Sequence, residues 1–200
     1  MFDFLQLSGR TILVTGVANK RSVATHVAKM LRDAGASLIF SVVEENEPAV
    51  RKLFGADAVL LRCNVENAQE IEALGNEVLA RVGPGGLHGL VHSIAFAKYA
   101  GDESGPLPFH KVPRADFLQA VQISAFSLVE LAGALQPAFA TDASVVTISI
   151  STTTTAAENY GYMAPVKAAL DASLAFLNKS FSSTSRVRFN AVGPGLLKTS

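Results

Sequence analysis

A single cysteine, Cys63, is all the thiol chemistry the sequence holds, which excludes an intrachain disulfide. With no charged-then-apolar leader at its start, the chain is expected to be intracellular and cytoplasmic. Long apolar runs are missing too. None approaches the ~20 residues needed to span a bilayer, so the 49% of hydrophobic residues is expected in a buried interior or in subunit contacts. An excess of charge is absent: 17 basic residues face 17 acidic ones, and that balance suggests neither nucleic acid nor an anionic membrane surface as a partner. His26, His88 and His110 lack metal-ligand spacing, among themselves or with Cys63, so no metal site is expected. There is no Gly-x-Ser-x-Gly elbow, which argues against an α/β hydrolase, and no G-x-G-x-x-G fingerprint.

What is present is an alternation of strand and helix signals. Thr11-Ile12-Leu13-Val14-Thr15 is a β-branched run ending at Gly16, as expected of a strand buried on both faces. Ser22 to Ala34 carries helical periodicity and stops at Gly35. Ser37 to Val43 and Ala58 to Cys63 read as strands two and three, with a short helix ending at Phe54 between them. A helix over 67–82 ends at Gly83-Pro84-Gly85-Gly86, and Leu87 to Ile94 forms strand four. After a Gly- and Pro-rich stretch over 97–113, one helix is expected from Ala115 to Leu135. Ser144 to Ile150 is strand five, a helix carrying Lys167 runs to about Phe181, and Arg186 to Val192 is strand six. Two hundred residues with this pattern predict a single α/β domain over 1–200, a doubly wound, Rossmann-like parallel sheet with helices on both faces.

In such a sheet the ligand crevice lies beyond the carboxyl ends of the strands. Gly16 lets the first loop turn closely, and Ser22 can cap the next helix and aim its amides at a pyrophosphate; a plain capped turn is the alternative. Val43 followed by Glu44 and Glu45 places acid where an adenosine ribose is expected. That favours NADH over NADPH, although acids at a helix start also suit its dipole. Asn64-Val65 can hold an adenine edge or simply turn the chain. His92, inside an apolar strand, is more naturally a satisfied core histidine than a catalyst. Ser93 and its small neighbours leave room for a nicotinamide, and the turn after strand six offers Thr199 to a carboxamide.

The chemistry is expected around Asn159 to Lys167. If that stretch is helical, Tyr160 and Lys167 share one face, ~10 Å apart along the axis, while Tyr162 points well round the cylinder and is the poorer partner. Alone, the pair also fits an edge aromatic and a solvated amine.

Taken together, Gly16-Val17-Ala18-Asn19-Lys20-Arg21-Ser22-Val23-Ala24, His92-Ser93-Ile94-Ala95-Phe96-Ala97 and the Tyr160…Lys167 spacing resemble the enoyl-acyl-carrier-protein reductases of the short-chain dehydrogenase/reductase superfamily. Ordinary carbonyl reductases of that superfamily separate Tyr and Lys by three residues rather than six, and here position 163 is Met163. The wider spacing has a physical rationale. In conjugate reduction the β-carbon accepts hydride while charge develops on the thioester oxygen two carbons away, so the donor hydroxyl must stand farther off. The resemblance implies NADH-dependent reduction of a trans-2-enoyl thioester on acyl carrier protein in fatty-acid synthesis. It implies that Tyr160 holds the enolate oxygen, that Lys167 holds the nicotinamide ribose, and that the cofactor meets Gly16, Ser22, Val23, Val43, Asn64, Val65, Ser93, Ile94, Leu197 and Thr199. Ala95, Phe96, Ala97 and Ile150 fall beside the acyl thioester. Ile150 stands where many members carry a second aromatic. The chain ends at Ser200, where members continue into a substrate-covering lid and a last strand, so a longer protein, homotetrameric when complete, is expected. A carbonyl-reducing relative and a nucleotide-binding module without turnover are the alternatives.

Overall fold

The structure, a computed structural model, describes residues 5–99, 107–156 and 161–195. Six strands form one parallel sheet in the order β3-β2-β1-β4-β5-β6. They are β1 Thr11–Thr15, β2 Ser37–Val42, β3 Val59–Arg62, β4 Leu87–His92, β5 Phe139–Ile148 and β6 Arg188–Val192. The helices are α1 Val23–Asp33, α2 Glu47–Phe54, α3 Ala68–Val82, α4 Arg114–Val121, α5 Ser127–Leu135 and α6 Met163–Phe181. After building outward through β2 and β3 the chain returns to the other flank of β1, where Leu13 pairs with Leu90 of β4. That reversal opens the crevice beyond β1 and β4.

The continuous apolar strands are explained by two cores. Ile12 and Val14 pack with Phe40, Val50, Ala24 and Ala28 on the α1/α2 face. Leu13 points the other way, to Ile39, Leu90, Leu74, Leu128, Leu131 and Leu170. Each fully buried leucine contributes roughly 1.5–3 kcal/mol over exposure.

Three elements depart from the sequence reading. β5 begins at Phe139, five residues earlier than expected, because Phe139 pairs with Leu87 ahead of a register shift. The polar Thr141-Asp142 hides that continuity in the sequence. The helix expected over 115–135 starts at Arg114 and is interrupted by a π turn over Gln122–Phe126. By length and composition the run Arg114–Leu135 passes for a membrane span, but half of its apolar window is buried in the protein, as in a core helix. Finally, α6 starts at Met163, behind a turn in which Gly161 has φ +59°. Pro165 then falls in the first helical turn, where its missing N–H leaves no bond unmade. A helix running from Tyr160 would have placed it in the interior.

Candidate active site

A cleft of about 590 Å³ opens at the carboxyl ends of β1, β4, β5 and β6. Of the residues singled out from sequence, Gly16, Ser22, Val23, Ser93, Ile94, Ala95, Ile150 and Lys167 line it. Val43, Asn64, Val65, Phe96 and Ala97 are not part of its lining. Tyr160, Leu197 and Thr199 lie outside the described residues.

The first loop is built differently from the expectation. Ser22 occupies the N-cap position of α1 but makes no side-chain cap. Its Oγ turns back and accepts from the N–H groups of Ala18 at 3.2 Å and Asn19 at 3.0 Å. Asn19 Oδ1 accepts from Arg21 N–H at 2.8 Å, and Thr25 Oγ1 donates to Asn19 O at 2.7 Å. Gly16, at φ +82°, is required by the sheet itself, since a Cβ there would collide with the Ser93 carbonyl at the exit of β4. This side-chain-free saddle between β1 and β4, opening onto the amino end of α1, suits an approaching dinucleotide.

Beyond β2, the acids do not point freely outward. Arg62 at the end of β3 donates to Glu44 Oε1 at 2.9 Å and to Glu47 Oε2 at 3.0 Å, and Arg51 donates to Glu47 as well. Hydrogen bonds from Arg51 and then Arg62 hold the Glu47 carboxyl below its ordinary range. Asn64 closes a local turn by accepting from Glu66 N–H at 3.1 Å, which matches the turn-residue alternative.

His92 is fully buried, its Nδ1 lying 2.8 Å from Thr147 Oγ1 and its Nε2 2.9 Å from Ser127 Oγ. Ser127 donates to Ile123 O at 2.6 Å, so its oxygen is left to accept from Nε2–H. Burial, with the nearby Lys167 charge second, pushes the imidazole down to about 3. It is a neutral core histidine. The π turn delivers Ser124 to the loop after β4, where its hydroxyl donates to Phe96 O at 3.0 Å and accepts from Phe96 N–H at 2.8 Å. That clamp fixes the backbone beside Ala95.

Lys167 is 3% exposed. The solvated-amine alternative is excluded. Its Nζ donates to Ile148 O at 2.7 Å and more weakly to Ile94 O at 3.4 Å, bridging the exits of β5 and β4 beneath the cleft. Burial lowers it to about 8, against an upward pull from Asp171 one turn on. Tyr162 is already committed elsewhere, as its hydroxyl donates to Lys98 O at 2.8 Å and accepts from Lys98 N–H at 3.0 Å. Its ring packs near Tyr99 and Phe117, and burial raises its phenol above the ordinary value. The reason to prefer Tyr160 is this commitment of Tyr162 and not a shared helical face, because α6 starts after both tyrosines.

Of the stretch beyond β5, sequence reasoning gave a site role to Ile150 alone, whereas Ser149, Ser151, Thr152 and Thr155 also line the cleft, along with Met163. The signal was available. Those residues follow directly on a strand exit, the place where ligand-facing groups are expected.

Residues 16–200 match the family described as Enoyl-(Acyl carrier protein) reductase. The chain is 36% identical over 198 residues to an enoyl-acyl-carrier-protein reductase (NADH), FabI, of Bacillus subtilis, covering 96% of this chain and 74% of that protein. It is 34% identical over 201 residues to the same enzyme of Nostoc sp., covering 98% and 76%. Among solved structures, the Bacillus cereus enoyl-acyl carrier protein reductase with NADP+ and indole naphthyridinone superimposes with a TM-score of 0.87 at 34% identity, over 96% of this chain and 75% of that one.

Proposed function

The chain belongs to the enoyl-acyl-carrier-protein reductase family, and on that premise we propose how its residues divide the work of reducing the 2,3 double bond of an enoyl-acyl-carrier-protein thioester. NADH, when bound, would supply the hydride to the β-carbon, and a proton from Tyr160 or from solvent would complete the α-carbon. Lys167 carries the proposal, as a buried ammonium held by two strand-end carbonyls at the floor of the cleft. In this reading it holds ribose hydroxyls and lends its charge to a developing oxyanion. Tyr160 donates its hydroxyl to the thioester oxygen as that charge forms. Gly16, Ser22, Val23, Ser93 and Ile94 hold the cofactor along the first and fourth strand exits, and Val43, Asn64 and Val65 extend its site toward the adenosine end. Leu197 and Thr199 meet the carboxamide. Ala95 and Ile150 flank the acyl thioester, with Phe96 and Ala97 behind them. The working protein is a cytoplasmic homotetramer, which accounts for Phe126 and Phe176 being 52% and 77% exposed on the outer helices.

The test is NADH oxidation, followed by absorbance, with crotonyl thioester and then with a 3-oxoacyl thioester. Oxidation is expected with the first. Turnover of the 3-oxoacyl substrate alone overturns the reading.

Cofactor choice offers a second measurement. Glu44→Ala removes an acid from the expected ribose edge and releases Arg62 from one of its two carboxylates. NADPH affinity is then expected to rise roughly tenfold relative to NADH, read by fluorescence titration of each dinucleotide. An unchanged ratio places the 2′ position elsewhere.

A further inference from the structure

Beyond His92 the chain leaves the sheet, and its backbone groups must find partners other than a neighbouring strand. From Ile94 to Lys98 they find side chains, on alternate residues. Lys167 Nζ donates to Ile94 O, Ser124 Oγ engages both backbone groups of Phe96, and Tyr162 Oη engages both of Lys98. The last two share one design. Each hydroxyl accepts from the N–H and donates to the carbonyl of a single residue, at 2.8 and 3.0 Å, as an adjacent strand would.

Unusual backbone brings both hydroxyls to the segment. Ser124 lies in the π turn over Gln122–Phe126, an interruption frequent at functional sites. Tyr162 follows Gly161, at φ +59°, where a Cβ would collide with the Tyr99 ring. Ser124 and Tyr162 are 0% and 2% exposed, so bulk water has little access to replace either hydroxyl.

The segment has two halves. Ser93 and Ile94 line the cleft on the side proposed for the cofactor, tied by Thr15 Oγ1, which accepts from Ser93 N–H at 3.3 Å, and by Lys167. Ala95 to Lys98 covers the residues proposed beside the acyl thioester, and its backbone hydrogen bonds among the described residues go to Ser124 and Tyr162. We infer that Ser124 and Tyr162 are positioning residues for the substrate, fixing through Phe96 and Lys98 the wall against which the enoyl thioester lies. This rests on the enoyl reductase reading above. The cofactor's half of the segment is held independently of them.

The experiment measures kcat and KM for crotonyl thioester, NADH affinity by fluorescence titration, and Tm, in the intact protein, Ser124→Ala and Tyr162→Phe. Each substitution is expected to raise KM about three- to tenfold, the effect of one or two neutral hydrogen bonds. kcat should stay within about threefold and NADH affinity within about twofold, since neither hydroxyl meets the reacting atoms or the cofactor. The sequence has no tryptophan, so Phe96→Trp gives the segment an indole of its own, whose fluorescence anisotropy should fall when either hydroxyl is removed. Tyr162→Phe keeps the ring packing on Tyr99 and Phe117, and it carries the test by itself if Ser124→Ala does not fold. A lower Tm with unchanged KM marks merely structural hydroxyls and overturns the role. So does an NADH affinity that weakens in step with KM, which marks damage to the whole cleft. A wild type that binds NADH but reduces no enoyl thioester overturns the activity itself, and the substrate role with it, whatever the indole reports.

Discussion

Tyr160→Phe is expected to slow reduction of crotonyl thioester by ~100-fold or more while NADH binds as before. The magnitude is that of losing one hydrogen-bond donor to an oxyanion in other enzymes. The loss should fall on kcat, because in the proposed role the hydroxyl serves an oxygen that becomes negative only as the reaction proceeds. Tyr162→Phe is the internal control. Its hydroxyl is spent on both backbone groups of Lys98, so its removal should be felt in Tm and far less in chemistry. Near-normal kcat in Tyr160→Phe, or the larger kcat loss in Tyr162→Phe, would reverse the assignment.

Lys167→Met is the second large effect. In the proposed role this removes both the ribose contact and the positive charge, so kcat is expected to fall ~100-fold or more, and NADH affinity roughly tenfold or more for a lost charged hydrogen bond. The pH behaviour identifies the group. With the folded amine at about 8, its charge is lost as pH rises through that value, and activity should decline on the alkaline side. Stability runs the other way. Between about 8 and the unfolded value of 10.5 the unfolded chain holds the proton that the folded chain has released. The Lys167 contribution to stability is therefore lowest below 8 and improves as pH climbs toward 10.5. Activity falling where stability gains is the signature, and Lys167→Met should lack this segment of the stability profile in urea titrations. Parallel profiles for the two proteins would remove Lys167 from the role. His92, held near 3, stays neutral throughout this range and adds nothing to either limb.

How far the sequence could be read depended on which forces left a local mark. Strands buried on both faces write themselves as unbroken apolar runs, and β1 stood at Thr11–Thr15 as expected. The parallel, doubly wound arrangement came through as well, while the strand order β3-β2-β1-β4-β5-β6 is supplied by the structure. Non-local choices were illegible. The extension of β5 back to Phe139 depends on Leu87, fifty-two positions away. The turn of Ser22 back into its own loop competes evenly with capping, which a serine before a helix ordinarily predicts. The start of α6 could have been placed from Pro165, a local signal passed over in favour of the Tyr–Lys spacing. At the cleft, Lys167 and the β4-exit residues Ser93, Ile94 and Ala95 were singled out by motif and do line it, whereas the burial of the Ser149 hydroxyl depends on non-local packing that a serine on a strand exit does not announce.

The knitting of the first loop bears on how the dinucleotide arrives. With the Ser22 hydroxyl holding two amides and Asn19 tied on both sides, the segment meets its ordering entropy during folding, not at the moment of association. Little freedom remains to be surrendered, so affinity is eroded less than at a loop that must first become ordered. Capture there is expected to be limited by encounter and not by rearrangement of this loop.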